Sequence, residues 1–263
     1  MSPTLLISGP PGCGKTSWIL NRIRNHRGPC AFLRLVGYPD EGLLQARDGG
    51  IDLAWLQDQY PGLLDLADPD QALAPRPANL LALIELPQFQ PPADSGLAGV
   101  DRRVIPQLEA MHLSPDEHLH FGRDDLLPRQ DTLDFNSLQA LERNLAGSVW
   151  DPASLSSFWF ELVNGAYGDV YRAKALMHLP DGRAFFCNWM VSREGSQFLP
   201  LQSIAPPDCR PERLSRLVVQ GKDLDPTALE DTLADCLLSD AVLELQQAPL
   251  RQRQAPSHPS PAA

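Results

Sequence analysis

Residues 9 to 16 read GPPGCGKT, with glycines at 9, 12 and 14 followed by a lysine and a hydroxyl residue in the order G-x-x-x-x-G-K-S/T. Each residue type has a physical use. Glycine reaches positive φ at no steric cost, so such a loop can fold into a nest whose N–H groups converge on an anion. A helix opening at the lysine adds the positive end of its dipole. That chemistry is phosphate binding. Gly9, Pro10, Pro11, Gly12, Cys13 and Gly14 supply the loop, and Lys15 is expected to reach the β- and γ-phosphates of a nucleoside triphosphate. The Thr16 hydroxyl is expected to ligate Mg2+, with Ser17 beside it in the first helical turn. Cys13 contributes its backbone N–H, and its thiol is expected to be inert.

The pattern carries this meaning only where a strand precedes it and a helix follows. Both are present: TLLIS at 4–8 is a short apolar run, and TSWILNRIRNH at 16–26 places Trp18, Ile19, Arg22 and Ile23 at helical spacing. Further strands are predicted at 30–36 (CAFLRLV) and 80–86 (LLALIEL), continuous apolar runs of the kind buried on both faces of a parallel sheet. A weaker strand is expected at 118–121, a helix over 134–146 and another at 51–57. The rest of 40–78 is broken by acidic residues, glycine and proline and shows no clear period.

A hydrolytic site needs a carboxylate at the end of a neighbouring strand, acting on Mg2+ or on the attacking water. Glu85, closing LLALIEL, is the candidate, the alternative being an ordinary polar strand terminus. Asp125, in the run HLHFGRDDLLP at 118–128, could accept the two N–H groups on the Watson–Crick edge of guanine. His118 and His120 share one side of a strand, as a metal-binding pair would, yet no third ligand is evident and a non-metal role is favoured.

After Trp150 the character changes. A helix capped by Asp151 or Ser154 should run to about Asn164, followed by strands at 169–179 and 183–191 around the turn Pro180-Asp181-Gly182. A strand at 214–220 leads to a helix from Pro226 to about Leu238. The expected division is 1–150, 151–246 and a disordered tail at 247–263, rich in Pro, Ala, Gln and Ser.

Composition narrows the partners. A formal charge of -11 argues against wrapping nucleic acid or lying on an anionic membrane, both driven by clustered Lys and Arg. No apolar run approaches the ~20 residues of a membrane span, and a cytoplasmic protein is expected. The five cysteines, Cys13, Cys30, Cys187, Cys209 and Cys236, are scattered, without a CxxC pair, and read as reduced thiols.

With these parts placed, the chain resembles the CobW family of P-loop GTPases, relatives of nickel-insertion GTPases. The specific segments are GDVYRAKALMHLPDGRAFF at 168–186, similar to that family's "R-x-K-G" hairpin, and RLVVQGKDLDPTALEDTL at 216–233, similar to its final strand and helix. The resemblance implies a P-loop α/β domain, a parallel sheet flanked by helices, followed by a small α+β C-terminal domain. It also implies a GTP- and Mg2+-binding accessory protein that hydrolyses slowly and meets a client protein through the C-terminal domain. The departures are concrete. The family's Cys-x-Cys-Cys motif has no counterpart, since no cysteine lies between Cys30 and Cys187. Its "E-T-T-G" stands here as Glu85-Leu86-Pro87-Gln88, and its "N-K-x-D" as Gly122-Arg123-Asp124-Asp125, keeping only the aspartate. A nucleotide-binding scaffold with little turnover, ATP in place of GTP, and a small-molecule kinase all stay open as alternatives.

Overall fold

In the computed structural model, the described residues are 3–9, 12–36, 45–46, 49–72, 77–87, 108–121, 138–208 and 210–254. They fall into two compact units, 1–138 and 139–263. The division thus precedes the 150/151 boundary expected from the sequence, because residues 139–144 belong to the second unit's sheet.

The first unit is built on β1 (Thr4–Gly9), β2 (Cys30–Val36), β3 (Gln45–Ala46), β4 (Leu64–Asp65), β5 (Leu81–Pro87) and β6 (Glu117–His120). The order is β3-β2-β5-β1-β6, with β4 also on β2. Among the described strands, β2, β4, β5, β1 and β6 run parallel and β3 pairs antiparallel, at Leu35 and Val36. Among the described residues this unit carries α1 (Lys15–Arg24), α2 (Gly50–Gln59) and the short α3 (Pro69–Ala72), and residues 108–110 are also helical.

Strand periodicity sorts the side chains of this sheet. Leu6, Leu33, Leu35, Ile84 and Leu86 gather in one apolar cluster. The intervening positions Ile7, Arg34 and Glu85 stand in register with one another, so two ionisable side chains share the opposite face. Ionisable groups inside a sheet need partners, and both have them, as described below.

The second unit is a five-stranded antiparallel sheet in the order β10-β9-β8-β11-β7. Its strands are β7 (Gln139–Asn144), β8 (Asp169–His178), β9 (Ala184–Met190), β10 (Gln197–Pro200) and β11 (Arg216–Lys222). Helices α4 (Pro152–Val163) and α5 (Pro226–Cys236) open on the same Asp-Pro step. Asp151 accepts from the amides of Ala153 and Ser154, and Asp225 from those of Thr227 and Ala228, while proline pre-sets the first helical turn. The amide bonds hold the Asp151 carboxyl below its ordinary range. The β8–β9 hairpin turns at Gly182, whose φ is 83° and where a Cβ would sit 1.8 Å from the Ala205 carbonyl oxygen. Only glycine fits there.

Two expectations are corrected here. The helix predicted over 134–146 is in fact β7 from Gln139 to Asn144, paired antiparallel with β11. Its charges find cross-sheet and helix partners, Glu142 with Arg216 and Arg143 with Glu230. The tail expected from 247 is helical as far as Gln254, in α6 (Asp240–Gln254). Its anchorage is polar: buried Gln247 donates to the Pro180 carbonyl, and Arg251 to that of Pro207. Residues 255–263 lie outside the described ones.

The core of the second unit centres on Trp150, Phe158, Trp159 and Leu162. Trp150 and Phe158 stack at a centroid separation of 5.1 Å, and Phe158 and Tyr167 at 5.9 Å. No helix among the described residues is long and apolar enough to cross a membrane.

Candidate functional site

The glycine-rich loop leaves the C-terminal end of β1, where open α/β sheets place their ligands. Gly9 has φ 141°, and a Cβ there would come within 2.8 Å of the Phe121 Cβ. Gly12 and Gly14 also have positive φ. Gly14 is the N-cap of α1, and unlike α4 and α5, which Asp151 and Asp225 cap, this helix has no side-chain cap; it also has no acidic residue in its first turn. Its leading amides, from Lys15, Thr16 and Ser17, therefore keep the donor capacity that an aspartate would otherwise use. Pro10 and Pro11 lie outside the described residues.

Lys15 is only 5% exposed. Its Nζ donates to the Gly9 carbonyl at 2.9 Å, approaches Cys13 Sγ at 3.7 Å and lies 3.7 Å from Glu85 Oε1. The lysine is thus curled over its own loop and tied to β5. Glu85 is 4% exposed, and its second oxygen, Oε2, is buried without a hydrogen-bond partner among the described residues. An orphaned carboxylate oxygen beside a phosphate-type loop is poised for a water or an ion.

Thr16 turns elsewhere. Its hydroxyl donates to Asp52 Oδ1 at 2.7 Å, while Arg34 NH1 donates to Asp52 Oδ2 at 2.7 Å. Asp52 was not singled out from the sequence, although it falls in the helix expected at 51–57, since its partner Thr16 lies 36 positions away. Thr16 and Asp52 offer oxygen donors only, the type that suits Mg2+.

The remaining candidates separate from this cluster. His118 Nε2 and His120 Nδ1 lie 2.6 and 2.7 Å from Ser8 Oγ, so both rings share a buried hydroxyl. Ser8 and His120 are in register and alternate with Ile7, which puts them on the other face of the sheet from Glu85. Asp125 and Gly122, like Gln88, lie outside the described residues. The described cysteines, Cys13, Cys30, Cys187 and Cys236, are all free and buried. Burial pushes the Cys30 thiol up to about 11 and that of Cys187 up to about 12, which disfavours the reactive thiolate.

No group of three or more His, Cys, Asp or Glu able to hold a metal ion occurs among the described residues. Purified without added metal and dialysed, the protein is expected to carry no stoichiometric zinc or other transition metal by elemental analysis. One retained zinc per chain would contradict this.

No curated protein matches the chain. Among solved structures, the Zn(II)-bound YjiA GTPase from E. coli aligns over 90% of this chain and 99% of its own, at 12% identity and a TM-score of 0.33. A triple mutant of YjiA GTPase, likewise Zn(II)-bound, aligns over the same shares with the same identity and TM-score. Residues 146–237 match the family model described as the cobalamin synthesis protein cobW C-terminal domain. That segment contains the hairpin and the final strand and helix on which the CobW resemblance rests. Residues 146–237, within the second unit, are thus the part of the chain that is similar to the CobW family.

Proposed function

We propose that this protein is a nucleotide-driven accessory protein of the CobW type, working in the cytoplasm. The loop at 9–17 binds a nucleoside triphosphate, GTP in preference to ATP, and slow hydrolysis resets the protein. The C-terminal unit meets a client protein. One observation carries the reading: an uncapped helix start follows a positive-φ glycine loop, and Lys15 is already drawn over that loop by Gly9 and Glu85. In this arrangement the amides of α1 and the Lys15 ammonium hold the β- and γ-phosphates. Thr16 would hold Mg2+, which would supply positive charge to offset that developing on the phosphates. Glu85, through Oε2, orients the attacking water.

The second reading, a nucleotide-binding scaffold with little turnover, is favoured by Gln88 and Gly122, which stand where the family has a γ-phosphate-sensing glycine and a guanine-reading asparagine. A single-turnover assay separates the two, because only the first yields nucleoside diphosphate.

Base choice rests on Asp125. A carboxylate pairs with guanine N1–H and N2–H2 but faces the acceptor N1 of adenine, so it repels one base while attracting the other. GTP is expected to bind better than ATP by about 1–2 kcal/mol, the scale of a charge-assisted hydrogen bond. Asp125→Asn should shrink that margin in parallel titrations of both nucleotides. An unchanged ratio would place the base site elsewhere.

A further inference from the structure

A guanidinium carried by a sheet strand is costly unless an anion stays beside it. Arg34 on β2 is such a residue, and its NH1 donates to Asp52 Oδ2 at 2.7 Å. The other oxygen of that carboxylate accepts the Thr16 hydroxyl at 2.7 Å. One carboxylate's width therefore separates the arginine from the first turn of α1.

The sheet brings Arg34 to the same place from a second direction. It stands in register with Glu85 on β5, neighbouring strands lie about 4.8 Å apart, and Glu85 Oε1 is 3.7 Å from Lys15 Nζ. Two cations thus flank Glu85. Exposure distinguishes them: the side chains of Lys15, Glu85 and Asp52 are 5%, 6% and 3% exposed, whereas that of Arg34 is 25% exposed. Arg34 is the charged member of this cluster that reaches the solvent from which a ligand arrives. Within the cluster Lys15 and Arg34 formally offset Glu85 and Asp52, so a triphosphate adds negative charge that the lysine alone does not meet. A lysine meets phosphate as a point charge, while an arginine offers a planar fork that matches its oxygens two at a time.

We infer that Arg34 reads the terminal phosphate: its guanidinium, held beside Thr16 by Asp52, contacts the γ-phosphate of a nucleoside triphosphate and makes no such contact with a diphosphate. This rests on the phosphate-site reading of the loop at 9–17. The loop leaves β1 and Arg34 stands two strands along, on β2, so a phosphate chain seated on the amides of α1 and extending across the sheet edge meets the arginine last. Arg34 is then the residue that separates triphosphate from diphosphate, by its fork geometry as well as its charge.

The test measures, by calorimetry on the full-length chain at saturating Mg2+, the affinities of GDP and of the β,γ-imido analogue of GTP, which is not hydrolysed. Arg34→Lys keeps a cation for Asp52 and removes the fork. It should leave GDP affinity unchanged and lower that of the triphosphate analogue by about 10–100-fold, the scale of one charge-assisted contact. A ratio of the two affinities equal to that of the wild type overturns the inference. So does an equal loss for both nucleotides, which would make Arg34 a support for Asp52 and the loop. If Arg34→Lys does not fold, the double variant Arg34→Gln/Asp52→Asn removes both charges and is compared with Asp52→Asn, and the same ratio is read. A wild type that binds neither nucleotide overturns the phosphate-site reading and this one together. A wild type that binds both, with its ratio kept in the variant, overturns this one alone.

Discussion

Lys15→Met is expected to abolish measurable triphosphate binding and, unusually for a ligand-site change, to cost stability as well. The ammonium is held at 2.9 Å from the Gly9 carbonyl and 3.7 Å from Glu85 Oε1, so it is placed before any ligand arrives. Two charge-assisted contacts to phosphates, at about 1.5–3 kcal/mol each, correspond to about two to four orders of magnitude in affinity. The stability cost follows from Glu85, which the variant leaves buried without its cation. Breaking a buried pair from one side costs about 3–5 kcal/mol. The double variant Lys15→Met/Glu85→Gln separates the effects: it should recover stability in urea denaturation while binding stays lost. Retained triphosphate affinity in a folded Lys15→Met would remove the phosphate site from this loop.

Trp150→Ala should cost the C-terminal unit about 3–5 kcal/mol, the range for truncating a large core side chain. Trp150 is completely buried and occupies a junction. Its amide donates to the His178 carbonyl at 2.9 Å, and its backbone bridges to Leu237. The ring packs on Phe158. Against a typical domain stability of about 5–15 kcal/mol, the loss is large. Trp150→Phe should cost less, because the indole N–H has no hydrogen-bond partner among the described residues and phenylalanine removes that buried donor. Urea midpoints monitored by circular dichroism check both, and a Trp150→Ala midpoint equal to wild type would contradict the core assignment.

What could be read from the sequence was local. The strand, glycine loop and helix around Lys15 are contiguous, and each residue type in the loop has one conformational use. The two Asp-Pro helix starts at Asp151 and Asp225 and the turn at Gly182 are likewise short-range signals with fixed chemistry. What could not be read depends on distant partners. Leu138, Leu141 and Leu145 have the spacing of a helix face, yet pairing with β11 makes that segment a strand, as tertiary context often does. The helix through Gln247 was hidden by its composition. Leu245 is 75% exposed, and the helix is fixed by polar bonds rather than a broad apolar stripe. Asp52 gave no signal because nothing in its neighbourhood announces Thr16 and Arg34 as partners. Glu85 could be found because it ends an apolar run, but its pairing with Lys15 is a property of the sheet register.

The central claim is that the loop at 9–17 binds a nucleoside triphosphate with Mg2+. Calorimetric titration of the purified full-length chain with GTP in the presence of Mg2+ tests it most directly. The account predicts saturable binding of one nucleotide per chain, with ATP weaker by the margin set out for Asp125. Absence of saturable binding by either nucleotide to folded protein would contradict it.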